Sequence, residues 1–281
     1  MDSNAWWYID GKWVHPDQAA ISVNDIAVLR GYSAFEALRT YDRRPFHLGE
    51  HLERLYRSAQ MIDLQLPYAR EEVASIIREI IARNPYRHAA IRMLVTGGES
   101  EDGMIAVGRP KLLVMIGPLG ERDMQRFARG YSLITSRLQR EAPEAKTSNY
   151  TSAVRALKEA ARRGADDALF VNEQGHVQEA TRSNFFIFRR DTLVTPRDQI
   201  LIGITRDIVL DLARERFPIE ERPILLAELA LADEAFLTAS SREISPVVRI
   251  DDQVIGSGKP GPRTTELEQR FIAMVERGAW S

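Results

Sequence analysis

The sequence predicts an α+β protein built from two domains. Strand-like and helix-like segments mix along the chain without regular strand–helix–strand alternation, which argues against a doubly wound parallel sheet. The 281 residues exceed the usual size of one domain, about 150 residues, and suffice for a sizeable core. No internal repeat or low-complexity tract competes with this reading.

Trp6-Trp7-Tyr8-Ile9 and Lys12-Trp13-Val14 flank Asp10-Gly11, a pair suited to the positive φ of a tight hairpin turn. Residues 27–41 read as extended, interrupted at Gly31. Leu48, Leu52, Leu55, Ala59 and Ile62 recur at helical spacing and predict an amphipathic helix over 49–62. Val73, Ile76, Ile77 and Ile80 do the same over 70–83. Strands are expected at 90–96, stopped by Gly97-Gly98, and at 111–116, stopped by Gly117-Pro118. The stretch 117–130 is the expected domain connection. Beyond it, a helix over 149–163 closes at Gly164. Segments 168–171, 176–180 and 185–188 predict a three-strand meander, followed by a helix at 204–216, a strand at 235–237 and a terminal helix at 266–276.

Composition removes several function classes. Hydrophobic residues at 44% and charged residues at 28% are ordinary for a globular protein and exclude wholesale disorder. The 38 basic and 40 acidic side chains nearly cancel, and no polybasic block appears, so no nucleic-acid partner is expected. No apolar run approaches the ~18 residues of a membrane span, so no membrane partner is expected either. Met1-Asp2-Ser3-Asn4 does not open a signal peptide, and the cytoplasm is the expected compartment. Cysteine is absent, which excludes disulfide scaffolds, thiolate metal sites and cysteine nucleophiles.

Two motifs tempt and fail. His47-Leu48-Gly49-Glu50-His51 matches the H-x-x-E-H zinc pattern, but Gly49 falls where the helix is only beginning, and the pair reads as surface histidines. No metal site is expected. Gly256-Ser257-Gly258-Lys259 resembles part of a P-loop, yet Pro260 follows the lysine and Gln253 stands where that motif needs glycine. No G-x-S-x-G nucleophile elbow occurs.

The basic residues comprise five lysines and, by difference from 38, 33 arginines, so an amine nucleophile has few sources. Lys12, Lys111, Lys158 and Lys259 each suit a solvent-facing position. Lys146, in Ala145-Lys146-Thr147-Ser148-Asn149-Tyr150, also reads as a loop lysine when taken alone. Glu179 lies beside an apolar strand, either on an exposed face or as a buried acid paired with a cationic ring nitrogen. Leu201-Ile202-Gly203-Ile204-Thr205-Arg206 opens a helix whose first amides either take a simple cap or bind an anion.

In order along the chain, Lys146 with Tyr150, Glu179 with Asn184, Leu201 to Arg206, and Ser240-Ser241-Arg242-Glu243-Ile244-Ser245-Pro246-Val247 resemble the signature of the class IV, fold-type IV pyridoxal-phosphate aminotransferases. Arg30-Gly31-Tyr32-Ser33-Ala34-Phe35-Glu36, His51-Leu52-Glu53-Arg54-Leu55 and Gly258-Lys259-Pro260-Gly261-Pro262 resemble further family segments, so the likeness spans nearly the whole chain. It implies a small N-terminal α/β domain (1–117), an interdomain loop (118–130) and a larger pseudo-barrel domain (131–281) carrying the catalytic lysine. It implies pyridoxal 5'-phosphate as cofactor, amino acids and keto acids as substrates, and a homodimer. Carried over by motif, Lys146 resembles the lysine that binds the cofactor covalently. Glu179 would pair with the pyridine nitrogen, Tyr150 would lie near the ring hydroxyl, and Arg54 would bind phosphate. Ile204, Thr205, Ser240 and Ser241 would complete the phosphate cup.

Within that family the resemblance leans towards a D-amino-acid transaminase. The branched-chain enzymes have a tyrosine two residues before the arginine equivalent to Arg92, and here Ala90 stands there. The four-residue step from Lys146 to Tyr150 resembles the D-selective branch, since the branched-chain enzymes usually have five. The familiar D-selective arginine after the strand threonine is missing, because Gly97 follows Thr96. Arg30, Arg92 and Arg182 are the candidates for a different carboxylate clamp. A branched-chain L-amino-acid aminotransferase is the alternative, followed by an aminodeoxychorismate lyase and a non-catalytic cofactor-binding protein.

Overall fold

The computed structural model describes residues 3–278 and Trp280. Met1 and Asp2, on which the expectation of no signal peptide partly rests, lie outside the described residues. The chain divides into two compact units, one of Met1–Glu121, Ala145–Asn149 and Trp280–Ser281, the other of Arg122–Glu144 and Tyr150–Ala279.

The first unit contains strands β1 (Trp7–Ile9), β2 (Lys12–Val14), β3 (Ser33–Tyr41), β4 (Arg44–Pro45), β5 (Ala89–Thr96) and β6 (Leu112–Pro118). They form one antiparallel sheet in the order β2-β1-β6-β5-β3-β4. Alternation along β3, β5 and β6 buries Ala34, Leu38, Ile91, Met93, Val95, Val114 and Ile116 on one face. Leu52 and Leu55 of α2 (Leu48–Gln60), with Val73, Ile77 and Ile80 of α3 (Arg70–Arg83), belong to the same core. That is the apolar stripe read from the sequence.

The run expected to be extended from residue 27 instead starts as a short helix, α1 (Ile26–Arg30). Asp25 caps it, accepting from the Ala27 amide at 2.9 Å and from Thr96 Oγ1 at 2.6 Å. Gly31 then closes it with φ of 69°, in the left-handed region that glycine enters freely. Two local end signals thus override an apolar run that suits a strand.

The second unit holds α4 (Met124–Arg129), α5 (Thr151–Arg162), α6 (Ile204–Arg214) and α7 (Pro262–Glu276). Its strands are β7 (Tyr131–Ser136), β8 (Asp167–Val171), β9 (His176–Ala180), β10 (Asn184–Arg189), β11 (Thr192–Thr195) and β12 (Ile219–Glu221). They continue as β13 (Ile224–Leu225), β14 (Glu234–Ala239), β15 (Glu243–Ile250) and β16 (Gln253–Val254). The sheet runs β12-β11-β10-β14-β15-β7-β8-β9-β13, with β16 paired to β15. The expected meander is therefore incomplete. β8 and β9 pair, but β10 lies between β11 and β14, and only an isolated bridge, Ala180 to Ser183, links the end of β9 to the start of β10. The sheet curls until strands distant in its order meet there. Its inner face buries Phe185, Ile187, Leu237, Val247 and Leu169.

Three further departures bear on function. The expected connection contains α4, capped by Asp123, which accepts from the Arg126 amide at 2.8 Å. Lys146 belongs to the first unit, not to the body of 131–281, because its segment pairs with β3. Ala34 bridges Thr147, and the Phe35 amide donates to the Lys146 carbonyl at 2.9 Å. The glycine-rich loop before α7 serves a carboxylate of the chain itself. Glu234 accepts from the Thr264 amide at 2.8 Å and its hydroxyl at 2.7 Å, and a Cβ on Gly261 would meet that carboxylate at 2.0 Å.

Candidate active site

Lys146 is half-buried on the open edge of β3. Its backbone amide donates to Ser58 Oγ at 3.1 Å, and its Nζ sits 4.7 Å from the centre of the Phe35 ring. Phe35 faces away from the helices, opposite Ala34 and Glu36. The ammonium therefore lies on the sheet face that also bears Arg92, which pairs in register with Ala37 and Met115.

Arg54 rises from α2, one turn before Ser58. It is 5% exposed and donates from Nε to Glu36 Oε2 at 2.7 Å and from Nη2 to Glu36 Oε1 at 2.8 Å. Glu36 is fully buried. Burial alone would raise its pKa, but Arg54 and then His51 outweigh that cost and hold the carboxyl well below the usual carboxylate range. His51 is not the surface histidine expected from its motif. Its side chain is fully enclosed, with Nδ1 3.2 Å from Glu36 Oε1. Burial pushes its pKa down against the pull of Glu36, aided by Arg54 and Lys146. The register was readable, since Ala34, Glu36 and Leu38 share one face. Nothing local signalled the partners.

In the second unit, Glu179 lies near the end of β9 and is 5% exposed. Its carboxylate accepts from Arg140 Nη1 at 2.5 Å, from Asn184 Nδ2 at 3.2 Å and from the Leu201 amide at 3.3 Å. Glu179 is thus buried rather than on an exposed strand face, and the cation beside it in this structure is Arg140. Arg140 was missed because it sits in an irregular segment without periodicity. Its guanidinium also stands 5.6 Å over the Tyr150 ring, which gathers Glu179 and Tyr150 around one cation.

Asn184 ties the acid to the next element, since its Nδ2 also donates to the Leu201 carbonyl at 2.7 Å. Gly203 follows as the N-cap of α6, without a side-chain cap, so the amides of Ile204 and Thr205 open the helix. A Cβ on Gly203 would come within 2.0 Å of Asn184 Oδ1. Ser240 and Ser241 form the β14–β15 turn beside Thr238, whose buried hydroxyl has no hydrogen-bond partner among the described residues. Arg242 anchors that turn, donating to buried Asp167 at 2.8 Å.

The three candidate substrate arginines are all exposed. Arg30 ends α1 with Nε 3.1 Å from Met104 Sδ. Arg92 stands in mid-sheet and Arg182 on the turn between β9 and β10. Among the described residues none of the three has an ion-pair partner.

Each unit, taken by itself, offers groups of the kind a phosphorylated pyridine aldehyde would use. The first unit offers a half-buried amine and a buried arginine. The second offers a buried carboxylate, an uncapped helix start and an orphaned hydroxyl beside a serine turn. Residues 33–250 match the family model described as amino-transferase class IV. The chain belongs to the class IV aminotransferases. A putative branched-chain-amino-acid aminotransferase of Methanocaldococcus jannaschii is 35% identical over 94% of each chain. A D-alanine aminotransferase of Listeria monocytogenes is 29% identical over 96% of each. The solved branched-chain amino acid aminotransferase of Thermobaculum terrenum, in its pyridoxal-phosphate holo-form, superposes with a TM-score of 0.88 at 28% identity, covering 98% of this chain and 95% of that one. The curled sheet and the second sheet are thus those of fold type IV, and the protein is a pyridoxal-phosphate-dependent transaminase. No helix among the described residues is long and apolar enough to cross a membrane.

Proposed function

We propose that this transaminase takes its amino group from D-amino acids, with Lys146 binding the cofactor and moving the substrate's α-proton. The observation that carries the proposal is Ala90, which stands two residues before Arg92 where the branched-chain enzymes have a tyrosine. Arg92 itself is an exposed guanidinium without an ion-pair partner among the described residues, flanked across the strand by Ala37 and placed on the sheet face that bears Lys146 Nζ. One lysine takes the α-proton from one direction, so the side on which the α-carboxylate is held decides which enantiomer presents its hydrogen. Arg92, with Arg30 and Arg182, is assigned to that carboxylate.

Pyridoxal phosphate supplies an electron sink for the α-carbon. Glu179 is assigned to its ring nitrogen, Tyr150 to its ring hydroxyl, and Arg54 with Ile204, Thr205, Ser240 and Ser241 to its phosphate. The buried carboxylate favours a protonated ring nitrogen, and an arginine grips phosphate with two parallel hydrogen bonds where lysine offers a point charge. Once the substrate's amino group has displaced it, Lys146 Nζ would accept the α-proton and deliver it two bonds further on, to the cofactor carbon that had carried the lysine.

Half-reactions with D-alanine, D-glutamate, L-leucine and L-glutamate, followed at the cofactor absorbance band, test the proposal. Conversion is expected with a D-amino acid, and Arg30→Ala or Arg182→Ala should raise KM by on the order of 10- to 100-fold, one charge-assisted contact. Conversion with L-leucine and neither D-amino acid refutes it and establishes the branched-chain reading, which the 35% identical relative favours. An unresponsive cofactor band points to storage, and pyruvate release from aminodeoxychorismate to a lyase.

The homodimer belongs to the same proposal. Val28 and Leu29 on α1, Met104, which touches Arg30, and Ile105 and Val107 just after it are exposed apolar side chains, and a second copy is the proposed cover. Sedimentation at low concentration checks it, and a fully active monomer refutes it.

A further inference from the structure

We infer that Glu36 is a positioning residue that orients Arg54 for the cofactor phosphate, an inference that rests on the phosphate role proposed for Arg54. Glu36 occupies a place where stability alone would favour an apolar side chain. It lies on the core face of β3 between Ala34 and Leu38, which are 0% and 2% exposed, and is itself fully enclosed. Burying a charge there is costly, and a well-packed apolar residue is often as stable as a buried ion pair. What the carboxylate does contribute is direction. It engages Arg54 through both oxygens, at 2.7 and 2.8 Å, occupying Nε and one hydrogen-bonding direction of Nη2. A guanidinium has five N–H donors in a fixed plane, so fixing this edge aims the others.

The surroundings make that aim rigid. His51, Arg54 and Ser58 follow one another along a single face of α2, at three- and four-residue steps. Ser58 accepts from the Lys146 amide at 3.1 Å, so the helix that carries Arg54 also carries the lysine segment. His51 closes the third side of Glu36 at 3.2 Å, and Arg54 makes the two-oxygen ion pair with the carboxylate there. A charged donor set that is already oriented loses less freedom on binding an anion.

Pyridoxal phosphate and pyridoxal, which lacks the phosphate, separate this role from general support of the fold. The affinity of each is measured on the full chain after removal of resident cofactor, for the parent, Glu36→Gln, Arg54→Met and the double variant. Glu36→Gln should weaken pyridoxal phosphate roughly 10- to 100-fold, the effect of a misplaced charged hydrogen bond, and pyridoxal by less than about threefold. In the Arg54→Met background it should have no further selective effect. Equal weakening of both ligands, or a selective loss that persists without Arg54, overturns the inference. If Arg54→Met leaves the ratio of the two affinities unchanged, the phosphate role of Arg54 falls and the inference with it. If only Glu36→Gln leaves it unchanged, the inference alone falls. Should Glu36→Gln fail to fold, Glu36→Asp keeps the charge and withdraws it by one methylene. A selective loss of pyridoxal phosphate supports the inference there, and a parallel loss of both or an unchanged ratio overturns it.

Discussion

Replacing Gly203 by alanine tests the junction between the buried acid and the start of α6. The new Cβ would lie 2.0 Å from Asn184 Oδ1 and 3.3 Å from the Arg206 Cβ. A comfortable contact needs at least about 1 Å more, and Asn184 cannot yield freely, because its Nδ2 is held by Glu179 and by the Leu201 carbonyl at 2.7 Å. Overpacking of a buried site costs about 1–3 kcal/mol. Loss of one hydrogen bond with its partner left buried costs a similar amount, about 1–3 kcal/mol. The substitution should therefore lower unfolding stability by roughly 2–6 kcal/mol, read from urea titration of the cofactor-free protein. Gly49→Ala is the control. Its Cβ would meet nothing within 4 Å on α2, and alanine should be neutral or up to about 1 kcal/mol better in a helix. A Gly203→Ala protein as stable as the parent would refute the close packing on which the junction depends.

Lys146→Ala should abolish the borohydride-fixed cofactor adduct and nearly all turnover; peptide mapping that finds the adduct on Lys12, Lys111, Lys158 or Lys259 sinks the assignment. Burial pushes the Glu268 carboxyl up to about 7, with Glu243 adding to the rise and Arg122 opposing it. The folded state thus holds this proton more tightly than the unfolded chain, so stability declines as pH rises from about 4.5 through about 7, and Glu268→Gln should flatten that decline in pH-dependent urea titrations. An unchanged pH slope in the variant counts against the raised pKa. Asp25→Ala removes the α1 cap and strands the Thr96 hydroxyl, and should cost about 1–3 kcal/mol by the same titration; a neutral result would show that the cap is dispensable.

Where a signal is local, the sequence carries it. Asp10-Gly11 marks the β1–β2 turn through the backbone torsions that pair tolerates, and periodic isoleucines mark Arg70–Arg83 to the residue. At 26–30 the end signals were also present, in Asp25 and Gly31, but the apolar run between them suits either helix or strand. Strands β7 and β15 escaped notice. They lie inside the second sheet, and there β7 pairs in parallel with both β15 and β8, so neither neighbour is near it in sequence.

By itself the sequence determined the family, through ordered motifs distributed over nearly the whole chain, and with it the transaminase chemistry and the α+β class. Composition had already removed thiol chemistry. Only the tertiary structure decided who faces whom. Glu179 and Arg140 are 39 residues apart yet meet at 2.5 Å, and Glu36 meets Arg54 across 18 residues in a buried, two-pronged pair. Likewise His51, solvent-facing by its motif, is sealed inside the core, and the false P-loop turns out to present its helix start to Glu234. Propensity and periodicity report a residue's own backbone, whereas burial and pairing depend on which distant segment folds over it. A charged side chain can enter the interior only where such a segment brings its counter-charge, and that meeting is a property of the fold.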